Sequence, residues 1–191
     1  FKTGYDKLFH KFEAKAFAAA SLGQVHDAVS HDGKKLAVKI QYPGIAASIK
    51  SDINLIRGLV PAILTNISVP HKKELFKTVF DEIEKRLFEE VDYYFEAKQT
   101  NWFAENNCQI NIRIPDVINE LSGQRIITFE KLPGLHIKQW LKTSPTQNDK
   151  NHFGQLLFDF FINSTFRYKK MHADPHPGNF LVSADHELIV L

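Results

Sequence analysis

The residues His172-Ala173-Asp174-Pro175-His176-Pro177-Gly178-Asn179 carry the most specific information on fold and function in the chain. Asp174 stands five positions before Asn179, in a segment that its two prolines keep extended. A phosphotransfer catalytic loop has this spacing: the aspartate orients the attacking hydroxyl, and the asparagine carbonyl binds the magnesium ion that shields the phosphates. Asp-Pro and Pro-Gly pairs also form ordinary turns, so the motif alone remains compatible with a turn on the surface.

The same loop has a second chemical interpretation, because His172, Asp174 and His176 alternate as metal ligands can. Aspartate and paired prolines suit a tetrahedral site poorly, and the one cysteine, Cys108, lies far away in sequence. Phosphotransfer is therefore favoured over a structural metal site.

The composition is typical of a globular enzyme domain, with 43% hydrophobic, 12% aromatic and 24% charged residues. The 24 basic and 22 acidic residues are mixed along the chain, which argues against nucleic acid as a partner. One cysteine excludes an internal disulfide framework, and no run approaches the ~20 apolar residues of a transmembrane segment. The chain starts without Met and ends on an apolar run, which we interpret as a fragment of a longer protein.

A turn signal at residues 31–34 lies between two strand-like runs and predicts a β-hairpin. On the return strand Lys39 projects from the face opposite the core, and the small Ala37 beside it leaves room for a flat ligand. A solvated edge-strand lysine is the competing interpretation of Lys39 taken alone. The residues expected to face the core are Leu36, Val38 and Ile40.

Apolar residues at helical spacing predict two long helices after the hairpin. The first extends from Ile45 to Ile67, and Pro61 is expected to bend or split it. The second extends from about His71 to Phe103 and carries Asp92 and Glu96 on one face, four positions apart. Glu96 can then reach the sheet, although a solvated acidic face explains the same periodicity.

The rest of the pattern predicts a second hairpin and a division into two lobes. Residues 114–121 and 125–132 form its strands, which gives a sheet of about five strands. Pro133-Gly134 ends the second strand and predicts a hinge near residues 130–134. Later elements are a short helix at 137–141, a buried helix from about 148 to 166, and a hairpin of 180–182 with 188–190.

Four separate motifs follow one another along nearly the whole chain. They are Ala18-Ala19-Ala20-Ser21-Leu22-Gly23-Gln24-Val25-His26, Ala37-Val38-Lys39-Ile40-Gln41-Tyr42-Pro43-Gly44, Glu90-Val91-Asp92-Tyr93 with Glu96-Ala97, and the HADPHPGNF run. In this order they resemble the UbiB/AarF (ADCK-type) atypical kinases. The resemblance implies an α+β, protein-kinase-like fold of two lobes. Residues 1–132 would be an N-lobe with an antiparallel sheet and helices, and residues 133–191 a truncated helical C-lobe.

The resemblance also implies roles for individual residues around ATP (or ADP) and Mg²⁺. Lys39 contacts the phosphates and Glu96 is its helix partner, while Asp174 is the catalytic carboxylate and Asn179 a magnesium ligand. The alanine-rich turn replaces the glycine-rich phosphate loop, and its methyl groups prevent so close an approach to the phosphates. The further nucleotide-facing residues are Ala18, Ala19, Ala20, Ser21, Gln24 and Ala37, with the backbone of Glu130, Lys131 and Leu132 as the adenine-facing hinge.

Two features of the family's pattern are absent from these residues. Glu90 and Asp92 match its regulatory ExD motif, which in relatives faces a KxGQ segment that does not occur here. The family's metal-binding Asp-Phe-Gly follows a short apolar strand, and the sequence stops at that strand, 188–191. Because that carboxylate holds the cation on the phosphates, we expect this chain not to turn over ATP. Hydrolysis at equal rates by this chain and by a form extended beyond Leu191 would refute this.

Three functions are compatible with these motifs. The first is an ATP-binding, Mg-dependent atypical kinase or ATPase of the UbiB type, whose relatives support isoprenoid-quinone biosynthesis and lipid handling in mitochondria, plastids and bacteria. The second is a small-molecule phosphotransferase similar to aminoglycoside or choline kinases, which share an HxDxHxGN loop. The third is a nucleotide-sensing or lipid-binding pseudokinase. The alanine-rich turn and the ExDYxxEA segment favour the first, with a nucleotide, a lipid or isoprenoid-quinone pathway proteins as partners.

Overall fold

Two β-sheets and six helices make up the computed structural model, which describes residues 4–63, 72–107 and 109–191, with backbone only at 60–63 and 72–73. The strands are β1 (Lys11–Phe12), β2 (Ala18–Ala20), β3 (Gly23–Val29), β4 (Lys35–Gln41), β5 (Ile112–Arg113), β6 (Ile126–Glu130), β7 (Leu135–His136), β8 (Phe180–Val182) and β9 (Leu188–Val190). The helices are α1 (Tyr5–Leu8), α2 (Ile45–Ile63), α3 (Lys72–Glu90), α4 (Tyr93–Asn106), α5 (Ile137–Leu141) and α6 (Gln147–Ile162).

The first sheet is antiparallel, with strand order β1-β3-β4-β6 and β2 beside β3. Its centre is the predicted hairpin of β3 and β4, whose turn contains Gly33 at a φ of +84°. Leu36 and Val38 are 1% exposed and pack with Phe9 and Ala28, so the predicted core face of β4 is confirmed. This alternation leaves Lys39 on the opposite face of the sheet.

The prediction of a strand at residues 114–121 is wrong. Val117 forms only an isolated bridge to Phe129, and residues 119–121 form a 3₁₀ turn. Ser122 explains the turn, because its hydroxyl donates to the Ile118 carbonyl at 2.8 Å and accepts from the Thr128 amide at 3.0 Å. The sheet still has five strands, since the short β1 and β2 complete it.

The long helix predicted from about His71 to Phe103 is in fact two helices, α3 and α4, over the described part of that range, which excludes His71 itself. The break falls at Val91-Asp92, where Asp92 caps α4 by accepting a hydrogen bond from the Tyr94 amide at 3.1 Å. Val91 is buried against α2, and its carbonyl accepts a hydrogen bond from the Gln41 side chain. Upstream, α2 continues through Pro61 to Ile63, and the rest of its predicted length, 64–67, lies outside the described residues.

The second sheet has the order β5-β9-β8-β7 and includes the predicted final hairpin of β8 and β9. Helix α6 covers it with Phe153 and Phe160, and a π-type turn, Asn163–Arg167, extends that helix towards residues 172–179. Strand β5 pairs in parallel with β9, and the division proposed at residue 132 stays a prediction. None of the helices among the described residues has the length and apolarity needed to cross a bilayer.

Candidate functional site

The alanine-rich segment forms a tight hairpin at one edge of the first sheet. Ala18 pairs with Val25 and Ala20 with Gly23, so the chain turns at residues 21–22. A Cβ atom on Gly23 would lie 2.3 Å from the Ile40 carbonyl oxygen, which explains the glycine by close approach of two backbones. Of the phosphate-facing residues predicted here, Ala20 is half-buried, and Ala18, Ala19, Ser21 and Gln24 are exposed.

Lys39 and Glu96 form an ion pair across the boundary between β4 and α4. The lysine ammonium donates to both carboxylate oxygens at 2.8 Å, although the two residues are 57 positions apart in sequence. The two side chains are 22% and 33% exposed, so water still reaches the pair. The structure therefore brings together the first two residues of the predicted phosphate site.

The start of α4 fixes the position of Glu96. The Asp92 cap sets the first turn, and the Tyr93 amide donates to the Gln124 carbonyl at 3.2 Å, which ties this turn to the loop before β6. Tyr93 is 1% exposed, and burial, followed by the charges of Glu96 and Glu90, raises the pKa of its hydroxyl above the ordinary value. The hydroxyl therefore stays protonated to a higher pH than that of an exposed tyrosine.

The predicted ExD residues lie at the junction of α3 and α4. Asp92 caps α4 and is half-buried, whereas Glu90 is the last residue of α3 and is exposed. Asp92 thus has a structural task in addition to any regulatory one. The cap was missed in the sequence because apolar periodicity continues across it, although Asp before a helical run is an N-cap signal.

The predicted hinge leaves fewer backbone groups for a ligand than the sequence suggests. The amide of Glu130 donates to the Asp116 carbonyl and that of Lys131 to the Lys35 carbonyl, both at 2.9 Å. Leu132 is buried, and within the described ranges its amide is the one of the three with no intramolecular acceptor. Among these three amides, that of Leu132 is therefore the one left to donate to a ligand.

Side chains around the hinge are also engaged with the sheet. Lys131 pairs with Asp27 on β3, and its ammonium lies 4.2 Å from the centroid of the Phe17 ring, just before the alanine-rich hairpin. Glu130 pairs with Arg113 at 3.1 Å. Ala37, predicted to leave space for a ligand, is half-buried in the middle of β4.

The HADPHPGN loop, residues 172–179, holds Asp174 and Asn179 together. The Asn179 side-chain amide donates to the Asp174 carboxylate at 2.8 Å and to its backbone carbonyl at 3.1 Å. The His176 ring accepts from the Gly178 amide at 3.0 Å. Asp174 is exposed and Asn179 half-buried, so the loop presents a carboxylate to solvent in a locally ordered turn.

An aromatic cluster anchors this loop, and sequence reasoning missed it. The His172 ring lies 5.9 to 6.3 Å from four phenylalanine rings, and its buried Nδ1 has no hydrogen-bond partner among the described residues. One of these rings, Phe103, belongs to α4, the helix that carries Glu96. The four rings are Phe103, Phe160, Phe161 and Phe180. Helix α4 therefore connects the Lys39–Glu96 pair with the loop that holds Asp174 and Asn179.

Cations lie beside the same cluster, just before the loop. The Lys170 ammonium is 4.1 Å from the Trp102 ring centroid, and burial, followed by repulsion from Lys98, lowers its pKa. Lys169 has a φ of +54°, which turns the chain out of the π-type turn. No group of three or more His, Cys, Asp or Glu residues suited to a metal occurs in the described part of the chain.

The sequence of the chain is similar to those of several known proteins. The chain is 30% identical over 188 residues to the chloroplastic protein "Activity of BC1 complex kinase 7" of Arabidopsis thaliana, covering 95% of this chain and 26% of that protein. It is 32% identical over 192 residues to the mitochondrial atypical kinase COQ8B of Danio rerio, covering 99% and 30%. The chain thus spans less than a third of these two relatives.

A solved structure supports the fold. It is the complex of Rv3197 with erythromycin from Mycobacterium tuberculosis, which matches with a TM-score of 0.82 and 28% identity over 98% of this chain and 46% of that one. The α+β, protein-kinase-like fold predicted from the sequence is confirmed. The family model of the ABC1 atypical kinase-like domain matches residues 1–191, and the chain belongs to that family.

Proposed function

We infer that the chain binds ATP with Mg²⁺ and forms the nucleotide site of an atypical kinase or ATPase of the UbiB type. The observation that supports this most is the Lys39–Glu96 pair, with two contacts of 2.8 Å between a strand and a helix. Such a pair orients the lysine towards nucleotide phosphates and adds little to fold stability, because both charges still meet water.

The HADPHPGN loop has a donor set that fits a magnesium ion. The Asn179 amide nitrogen is bound to Asp174, so the carbonyl oxygen points away from the carboxylate as a neutral ligand. Mg²⁺ is normally held by one or two protein oxygens together with phosphates and water, so the fit does not need an all-protein cage. A bound ion there would neutralise charge on the phosphates.

Each residue of the site then has a separate role in binding or catalysis. Lys39 neutralises phosphate charge and positions the nucleotide, and Asp174 accepts the proton of the attacking hydroxyl or water. The Leu132 amide donates to the adenine edge, and Ala37 leaves room for the base.

We propose a role in isoprenoid-quinone or lipid metabolism, as the family resemblance implies. A lipid or a protein of that pathway would be the partner.

The test measures the thermal stability of the chain with ATP, with and without Mg²⁺. At a ligand concentration of about 100 times the dissociation constant, binding should add about 2.7 kcal/mol to the free energy of unfolding. Lys39→Ala should abolish this gain. The matched control is Lys34→Ala, which removes the same charge from the exposed hairpin turn and should retain the gain.

The magnesium assignment is tested separately. Asn179→Ala should lose the increment that Mg²⁺ adds while it retains the effect of ATP alone. An unchanged ATP effect in Lys39→Ala would count against the nucleotide site, and an unchanged Mg²⁺ increment in Asn179→Ala would count against the metal ligand only.

A further inference from the structure

Tyr93 is a buried residue of the candidate site to which the proposed function assigns no task. It begins α4 three positions before Glu96, so both side chains lie on the same side of the first turn. The Lys39 ammonium is 4.8 Å from the centroid of the Tyr93 ring, within the range of a cation–π contact. Lys39 is thus held by a carboxylate and by an aromatic ring.

The surroundings of the Tyr93 hydroxyl indicate which part of this residue matters. It is buried without a hydrogen-bond partner among the described residues, so it adds no bond that a phenylalanine would lack. A Cβ atom on Gly23 would lie 3.1 Å from the hydroxyl oxygen, which places the tyrosine against the end of the alanine-rich hairpin. The ring therefore lies between that hairpin and Lys39.

A purely structural explanation also exists, because Tyr93 packs with Ala97, Val117 and Ile127 in one buried cluster. A core residue would need only the volume of the ring. The ammonium beside the ring also gains from an electron-rich face, which an aliphatic side chain of equal size would not provide.

We propose that Tyr93 is the positioning residue for Lys39: its ring holds the ammonium against the Glu96 carboxylate. This inference rests on the proposed function, because Lys39 acts on the phosphates of a nucleotide. The lysine position itself can be measured without any nucleotide.

The decisive experiment replaces Tyr93 by Phe, by 3,5-difluorophenylalanine and by 3,4,5-trifluorophenylalanine. Ring shape is nearly constant in this series, whereas the electron density of the face falls. The measurement is the acetylation rate of the Lys39 amine in the nucleotide-free chain at fixed pH, quantified by mass spectrometry relative to the exposed Lys34. A cation–π contact of the usual strength predicts a rise of about fivefold across the series.

The controls separate positioning from packing. Tyr93→Phe should stay within about twofold of the unmodified chain, because the ring is retained. Val117→Ala truncates the same cluster without touching Lys39, so it should lower thermal stability and leave Lys39 acetylation unchanged. Acetylation rates that do not change with fluorination, or that change equally in Val117→Ala, would overturn the proposal.

Affinity for ATP with Mg²⁺, measured on the same variants, links this proposal to the function. We expect a loss of about fivefold for the trifluoro variant and no loss for Tyr93→Phe. If the unmodified chain binds no ATP, the proposed function fails, whereas the acetylation series still decides the role of Tyr93. Raised acetylation with unchanged ATP affinity would refute the link to the phosphates.

Discussion

The two parts of the candidate site are built in different ways. Lys39 and Glu96 are 57 positions apart and meet only because β4 and α4 pack together. Asp174 and Asn179 lie in one exposed loop, and their contact is made within that loop. The first part therefore depends on tertiary packing, and the second on local sequence and the His172 anchor. Substitutions chosen in each part should have separable effects.

The largest effect is expected at Gly23, because the Ile40 backbone leaves no space there for a Cβ atom. Gly23→Ala would bring a Cβ atom to 2.3 Å from the Ile40 carbonyl oxygen, a backbone atom of the neighbouring strand that cannot move alone. We expect a loss of about 3 kcal/mol in the free energy of unfolding, at the upper end for overpacking. Urea denaturation followed by circular dichroism measures it.

A second glycine provides the matched control. Around Gly58 on α2, a Cβ atom would meet nothing within 4 Å, so Gly58→Ala should be neutral or stabilise the chain by up to about 1 kcal/mol. Similar losses in both variants would show that the close approach at Gly23 is not what limits the first part.

The next largest effect concerns the connection between the two parts. Phe103→Ala removes a half-buried ring that lies 6.0 Å from Phe160 and 6.3 Å from His172, which should cost about 2 kcal/mol. Amide hydrogen exchange should accelerate in residues 172–179, because His172 loses one of its supports. The control is Phe158→Ala, since Phe158 is 61% exposed on α6. Unchanged exchange in the loop after Phe103→Ala would disprove the connection.

The difference between the two parts also explains what the sequence could predict. Alternation in β4 correctly separated the core residues from Lys39, because a strand has a period of two. The ion pair with Glu96 was expected only by resemblance, since helix periodicity alone favoured a solvated acidic face. The break at Asp92 was missed because the apolar pattern continues through it. The strand at 114–121 was wrong because the Ser122 hydroxyl takes the place of the backbone bond from the Thr128 amide to the Ile118 carbonyl, which limits the pairing to an isolated bridge.

The cap of α4 should have a smaller effect than the two packing changes. Asp92→Ala removes the side-chain acceptor for the Tyr94 amide and should cost about 1 kcal/mol, whereas Asp92→Asn keeps a capping oxygen and should cost less. Glu90→Ala changes an exposed residue two positions earlier and should stay within about 0.5 kcal/mol. Chemical denaturation of the three variants measures these differences. Equal losses for Asp92→Ala and Asp92→Asn would mean that the charge matters more than the cap.

The smallest effect lies in the helix that supports the second part, and it depends on pH. Thr146 caps α6, and its hydroxyl donates to the Asp149 carboxylate at 2.6 Å. This hydrogen bond, together with that from the Thr146 backbone amide, lowers the pKa of Asp149 below its ordinary value of 3.8. A lowered folded-state pKa contributes stability that is present above pH 3.8 and is lost as the pH falls through the folded-state pKa. Thr146→Val should therefore reduce the acid dependence of thermal stability below pH 3.8. If the loss of thermal stability below pH 3.8 were the same in Thr146→Val, the cap would not be the cause of the lowered Asp149 pKa.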